Sequence, residues 1–358
     1  MSRGRIPCAV AGASGYIGQH FCRMLADHPL FEVVALGGGE RSRGRHLPEL
    51  WQLVEPPPPE LEDLAVREWR PAELARSGVR VVFSALPSGT AGGPETELVR
   101  RGVSVFTNAA DHRMDARVPL LVPEVNGDHL AVLTPPAGRR GYLVANPNCS
   151  ATGLVLALAP IVELLRPRAV HVATYQSLSG AGYPGVPSLA NTDNVVPFVR
   201  DEEEKLAAES ARMLGRRRRL RIAPATFPIS AHCVRVGTRE GHLEAVTVEA
   251  TRRPSGAEIR AAWRSFAPLS DLPLPTAPHP PIELRSEPDR PQPVRDRWAG
   301  HPARARGMAA VIGRVRWDPP FLRFFVLSNN AIRGGAGASV LNAEYALARG
   351  LELTRGGP

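Results

Sequence analysis

Short apolar runs and helical periodicities alternate through the first 150 residues. Residues 7–12 form a short apolar run, and 16–25 place Ile17, Phe21 and Leu25 at helical spacing. Further apolar runs follow at 32–36, 79–86, 103–107 and 142–145. Several are continuous rather than alternating, which suits strands covered on both faces. Strands interleaved with helices predict an α/β fold on a Rossmann-like, doubly wound parallel sheet. Residues 55–60 are proline-rich and predict a surface excursion.

Beyond Cys149 the pattern changes. Residues 151–165 read as one long apolar helix, kinked at Pro160 and ending before Pro167. Strand-like stretches at 170–175, 244–250 and 308–315, with helices near 202–214 and 255–266, predict an α+β second domain with a mixed sheet. Residues 272–281 and 290–297 read as proline-rich loops. A final helix near 337–350 is expected to pack back on the first domain.

Composition narrows the classes. A chain of 358 residues can hold two domains, each with its own core. Its 43% hydrophobic and 22% charged residues are those of a soluble globular protein. No stretch approaches the roughly 18 unbroken apolar residues of a membrane helix. Met1 runs into the first strand without the pattern of a secretory leader, so a cytoplasmic protein with no membrane partner is expected. A net charge of +9 raises nucleic-acid binding. However, the basic residues are spread along the chain, and Lys205 is the only lysine among 44 of them. That is a compositional bias, and no nucleic-acid partner is expected. The dense run at 216–219 reads as an exposed helix end or loop. Cys8, Cys22, Cys149 and Cys233 form no CxxC pair and fit neither a disulfide framework nor a zinc site, so no metal is expected. In a reducing compartment a lone thiol is a candidate nucleophile.

Two segments carry chemistry. Gly12, Gly15 and Gly18 join the first strand to the first helix. They permit a tight turn and close backbone approach to a pyrophosphate at the helix N-terminus. The spacing is GxxGxxG, and an ordinary tight turn is the alternative; its place at the head of a βαβ unit favours a dinucleotide. After the second strand come Glu40, Arg41, Ser42 and Arg43. Two arginines and a serine suit the 2′-phosphate of NADP, while Glu40 leaves NAD open. Residues 84–88 should line the same crevice. The second segment is Asn146, Pro147, Asn148, Cys149 and Ser150, a tight turn between a strand and a helix. A cysteine at a helix N-terminus is expected to have a lowered pKa and to act as a nucleophile, with backbone N–H groups ready for an oxyanion. The structural alternative, a buried inert thiol, is assigned to Cys8 and Cys22. His242, between Gly241 and a strand beginning near 245, is the candidate acid or base.

With these residues assembled, the chain resembles the aspartate-semialdehyde dehydrogenase family, in its archaeal and fungal branch, over nearly its whole length. The matching motifs are 146–150, Gln176 with 179–188, 201–205, Arg235 with Gly241 and His242, and the shorter segments 84–88, 113–114, 123–126, 290–293 and 332–336. The resemblance implies interconversion of aspartyl 4-phosphate and aspartate 4-semialdehyde, with NADPH and inorganic phosphate, in lysine, threonine and methionine biosynthesis. It implies that Cys149 forms a thioester, His242 handles protons and Gln176 orients the acyl group. Arg235 would grip the substrate α-carboxylate. Glu202 would meet the amino group, and Lys205, Arg113 and Asn148 the phosphate. Implied cofactor contacts are Gly12, Ser14, Gly15, Tyr16, Ile17, Arg41, Ser42, Arg43, Ser84, Pro87, Ser88, Ser179, Gly180 and Asn330. The implied domains are an NADP-binding domain at 1–148, completed by 334–358, and a catalytic and dimerisation domain at 149–333, in a homodimer or homotetramer.

The chain departs from the family where RVPV commonly stands, with Arg235, Val236, Gly237 and Thr238, and where HNTIRG is expected, with the run 328–334. A related thioester-forming reductase acting on N-acetyl-glutamyl phosphate or an acyl-CoA is the first alternative. Gly15 and Tyr16 resemble the former, whereas Asn148, Glu202 and Lys205 argue against it. A secondary-metabolism paralogue is the second alternative. A non-catalytic NADP- or nucleic-acid-binding protein is the third, and the set Cys149, His242 and Arg235 stands against it.

Overall fold

The structure, a computed structural model, describes residues 4–133 and 141–353. Its first sheet is formed by β1 (Ile6–Ala11), β2 (Phe31–Gly38), β3 (Val66–Glu68), β4 (Val81–Ser84), β5 (Ser104–Thr107) and β6 (Leu143–Ala145). All pairings are parallel, in the order β3-β2-β1-β4-β5-β6. Cys8, Ala9, Val10 and Ala11 are all fully buried, which is why this strand reads as an unbroken apolar run. The chain reverses its direction of strand addition between β1 and β4, and that switch opens a crevice at the strands' carboxyl ends. The last helix, Ala336–Ala348, packs against the first, Tyr16–Leu25, and shares its core with Phe21 and Phe83. The end of the expected 334–358 segment lies outside the described residues.

The second sheet is mixed, as expected. It contains β7 (Pro167–Gln176), and a small hairpin of β8 (Arg216–Arg218) and β9 (Arg221–Ala223) stands apart from it. The other members are β10 (Ile229–Arg235), β11 (His242–Ala250), β12 (Ile282–Leu284), β13 (Ala310–Asp318) and β14 (Phe321–Ser328), in the order β10-β7-β11-β14-β13-β12. The arginine run is thus part of an exposed hairpin, not a helix end or a loop. β10 and β14 were not expected from the sequence. β14 follows Pro319 and Pro320, which form the turn of a hairpin with β13. Residues 290–297, expected as loop, include a short helix at Pro293–Asp296.

The expected 151–165 helix is two helices. The first spans Cys149–Leu158 and the second Val162–Leu165. Pro160 breaks rather than kinks it, because its ring displaces the carbonyl four residues back and it has no N–H to donate. The Cys149–Leu158 helix is buried on every side from Ser150 to Leu158, between the two sheets. Trp263, fully buried, donates its indole N–H to the Ala157 carbonyl at 2.8 Å and anchors the helix to the second body.

Candidate active site

Strand register builds the site. Arg235 at the end of β10 pairs with Gln176 at the end of β7, and Leu243 of β11 pairs with Tyr175. His242 opens β11 opposite Ser328, which closes β14. One end of the second sheet therefore presents Arg235, Gln176, His242 and Ser328 in a row. The buried helix delivers Cys149 to that row from its first turn. Asn148 caps the helix, its Oδ1 accepting from the N–H groups of Ser150 (2.8 Å) and Ala151 (3.1 Å). Cys149 Sγ lies 3.2 Å from His242 Nε2. Gly334 covers the thiol from the other side, and a Cβ there would collide with Cys149 Cβ.

The polar groups around this dyad interlock. Glu202 is buried, accepting from Asn148 Nδ2 (2.9 Å) and Gln176 Nε2 (2.8 Å). Gln176 also donates to Ser150 Oγ at 3.0 Å. Arg113 pairs with Glu209 at 3.1 Å, and Glu209 in turn accepts the Asn148 backbone N–H at 2.6 Å. Glu209 escaped the sequence reading. Its spacing of seven residues from Glu202 puts both on one helix face, and that was the available signal. Lys205, expected beside the phosphate, is half-buried and pairs with Asp201 at 3.5 Å. Arg235 is only 7% exposed, donates Nη1 to the Ser177 carbonyl at 2.7 Å, and has no carboxylate partner among the described residues. Arg333, fully buried, is by contrast held by both oxygens of Glu124 at 2.9 and 2.8 Å. A buried guanidinium without a carboxylate is costly, and it marks a place for an anion from outside. Gly180 fits directly over it, since a Cβ would lie 2.6 Å from Arg235 Nη1 and 3.1 Å from His242 Nε2.

The electrostatics differ from the sequence expectation at the nucleophile. Burial pushes the Cys149 thiol up to about 12, and Glu202 adds to the rise, while Arg113, Arg235 and the Ser150 backbone N–H pull down. A helix terminus contributes up to ~2 kcal/mol, roughly 1.5 pKa units, which burial outweighs here. His242 is held down to about 3, first by burial and then by Arg235. Glu244, fully buried two residues further along β11, is kept well above the usual carboxylate range by burial and by Glu202. Neither of its oxygens has a hydrogen-bond partner among the described residues.

The residues expected at the cofactor divide into three places. Gly12 has φ of +74°, and a Cβ on it would meet the Ala85 carbonyl at 2.6 Å. A Cβ on Gly18 would collide with the Gly12 carbonyl. Only glycine fits either position, and the exposed turn at Gly15 leaves the helix N-terminus open, which fits a dinucleotide pyrophosphate. Ser14, Arg41 and Ser42 line a neighbouring cavity of about 650 Å³ together with Arg45. Arg43 turns away from it and pairs with Glu68 at 3.3 Å, so Arg45 takes the place expected for Arg43. Ser84 is fully buried, while Pro87 and Ser88 are exposed at the carboxyl end of β4. Ile17 reaches the 329–335 loop, where a Cβ on Gly335 would touch it at 3.1 Å. Tyr16 hydrogen bonds to Glu240, linking the cofactor loop to the segment before His242. Ser179 and Asn330 bond to each other at 2.9 Å and, with Gly180, surround His242.

Residues 7–133 match the family described as semialdehyde dehydrogenase, NAD binding domain, and 158–333 match semialdehyde dehydrogenase, dimerisation domain. An aspartate-semialdehyde dehydrogenase of Archaeoglobus fulgidus is 43% identical over 346 residues, which cover 95% of this chain and 97% of that one. A malonyl CoA reductase (NADP) of Metallosphaera sedula is 36% identical over 357 residues, covering 97% and 98%. The crystal structure of aspartate semialdehyde dehydrogenase with NADP from Candida albicans superimposes with a TM-score of 0.86 at 33% identity, covering 97% of this chain and 100% of that chain.

Proposed function

The chain belongs to the semialdehyde dehydrogenase family, and on that premise we propose that it is an NADP-dependent aspartate-4-semialdehyde dehydrogenase acting through a thioester on Cys149. The observation that carries this reading is the row at the sheet's end. A thiol 3.2 Å from an imidazole stands beside a buried arginine with no carboxylate partner among the described residues and a buried glutamate. An α-amino acid side chain needs that combination: Arg235 for its carboxylate, Glu202 for its ammonium, and Cys149 for its activated acyl carbon.

In the reducing direction Cys149 Sγ bonds to the acyl carbon, the C–O bond to phosphate breaks, and the phosphate takes up the thiol proton as it leaves toward Arg113. The Asn148 cap takes the Ser150 and Ala151 N–H groups, and Gln176, held by Ser150 and Glu202, orients the acyl group on this reading. NADPH, when bound across Gly12 and the Arg41, Ser42 and Arg45 cavity, supplies a hydride to the acyl carbon. His242 holds a proton at Nε2 facing the sulfur as the C–S bond breaks and the thiolate returns. On this reading 1–148 with 334–358 is the cofactor domain and 149–333 the catalytic and dimerisation domain. The four free thiols are compatible with reducing cytoplasm.

The second sheet supports a homodimer. One face, with Val170, Val172, Val246 and Val248, is packed in the core, while the other presents Ala173, Tyr175, Leu243 and Ala245, all half-buried or exposed. An apolar sheet face of this kind is suited to a second copy of the chain.

The family likeness also extends to an enzyme named for a CoA thioester, so the decisive assay compares substrates. Oxidation of aspartate semialdehyde with NADP should require inorganic phosphate and vanish in Cys149→Ala with the fold retained. Faster oxidation of malonate semialdehyde with CoA than of aspartate semialdehyde with phosphate would overturn the substrate assignment.

A further inference from the structure

His242 is held from behind as well as in front. Its Nδ1 receives the backbone N–H of Ser177 at 3.1 Å. An amide N–H can only donate, so Nδ1 is an acceptor and the ring's single proton sits on Nε2, 3.2 Å from the Cys149 sulfur. The Ser177 hydroxyl lies 3.1 Å from the same Nδ1, 3.2 Å from Ser179 Oγ and 3.0 Å from Asn330 Oδ1. Asn330 ties this arrangement together. Its Oδ1 accepts the N–H of Gly241, the residue before His242, at 2.9 Å, and its Nδ2 donates to Ser179 Oγ at 2.9 Å. One buried amide therefore anchors both the peptide that carries His242 and the serine that sets its proton.

We propose that Asn330 and Ser177 are positioning residues that fix His242 as the Nε2–H tautomer. The imidazole then acts as a hydrogen-bond donor to the sulfur and to the acyl oxygen, not as an imidazolium. This rests on the thioester reading but goes beyond it. A doubly protonated ring would set Nδ1–H against the Ser177 N–H, two donors face to face. The charged or titratable neighbours are Cys149 in front and Arg235 beside the ring, and no carboxylate bonds to Nδ1 among the described residues. Nothing there stabilises a second proton, in agreement with the low pKa that burial and Arg235 impose.

The assignment of Asn330 departs from its sequence expectation as a cofactor contact, and the two roles separate experimentally. The histidine ¹⁵N resonances of the wild-type protein should show His242 as Nε2–H, with no titration between pH 6 and 8.5. Asn330→Ala should lower kcat by about 10²-fold, leave NADP affinity nearly unchanged, and give a His242 that titrates or mixes tautomers. A wild-type His242 protonated on Nδ1 at neutral pH overturns the inference, whether or not Asn330→Ala folds. So does an Asn330→Ala enzyme with intact kcat and weakened NADP binding. The resonances need no substrate. A correct tautomer in a protein that fails to turn over aspartate semialdehyde would therefore support this inference while removing the assigned reaction.

Discussion

Burial holds Cys149 toward the protonated thiol and Glu202 adds to the rise, whereas Arg235 lowers both the thiol and the imidazole. On the proposed reading the substrate ammonium would neutralise Glu202 and so ease ionisation of the nucleophile. With the thiol at about 12, the thiolate fraction grows through the whole neutral range. Alkylation of Cys149 by iodoacetamide should accelerate about tenfold per pH unit between roughly pH 7 and 9, without a plateau. A plateau near pH 7 would show an already ionised thiol. Glu202→Gln gives a second, oppositely signed outcome. Removing the negative charge should speed alkylation roughly severalfold at fixed pH, while turnover falls because the ammonium loses its partner. Parallel loss of both rates would mean that Glu202 only holds the fold.

The elements that carry the chemistry were legible where they are local. Three glycines after an apolar run can form little but a tight turn, and a strand followed by Asn148, Cys149 and Ser150 announces a capped helix. What could not be read was whatever depends on pairing. Ser177 meets His242 only because β7 and β11 lie antiparallel in one register. Arg45 rather than Arg43 faces the cavity beside the glycine turn because the 3₁₀ turn at Glu40–Ser42 rotates the chain after β2. The thiol's burial was equally hidden, since it arises from a helix enclosed by two sheets whose contact no local pattern records. Gly334 belongs to the same class: its loop lies far from Cys149 in sequence and closes on it in space. Gly334→Ala should abolish most turnover, because the added methyl must push the nucleophile out of line with His242, while unfolding temperature changes by only a few degrees. Full activity in that variant would mean that the loop yields and does not define the thiol's position.

At the scale of the whole molecule, the proposed dimer would make catalysis and assembly share one strand. Along β11 the side chains alternate, so His242, Glu244, Val246 and Val248 point into the core and Leu243, Ala245 and Thr247 point to the open face. Ala245 lies at the centre of that face, paired with Ala173 of β7 and with Phe325 of β14. If a second copy packs there, the strand that positions His242 is clamped from both sides, and a lone protomer would hold its imidazole less firmly. Ala245→Arg places a charge where the partner must sit without touching the inner face. Sedimentation should then give a dimer for the wild type and a monomer for the variant at micromolar concentration. kcat should fall severalfold, while KM for aspartate semialdehyde changes little, because Arg235 and Glu202 are held within one protomer. A variant that remains dimeric would place the interface elsewhere. A monomer with full kcat would show that one chain alone fixes the geometry of its histidine.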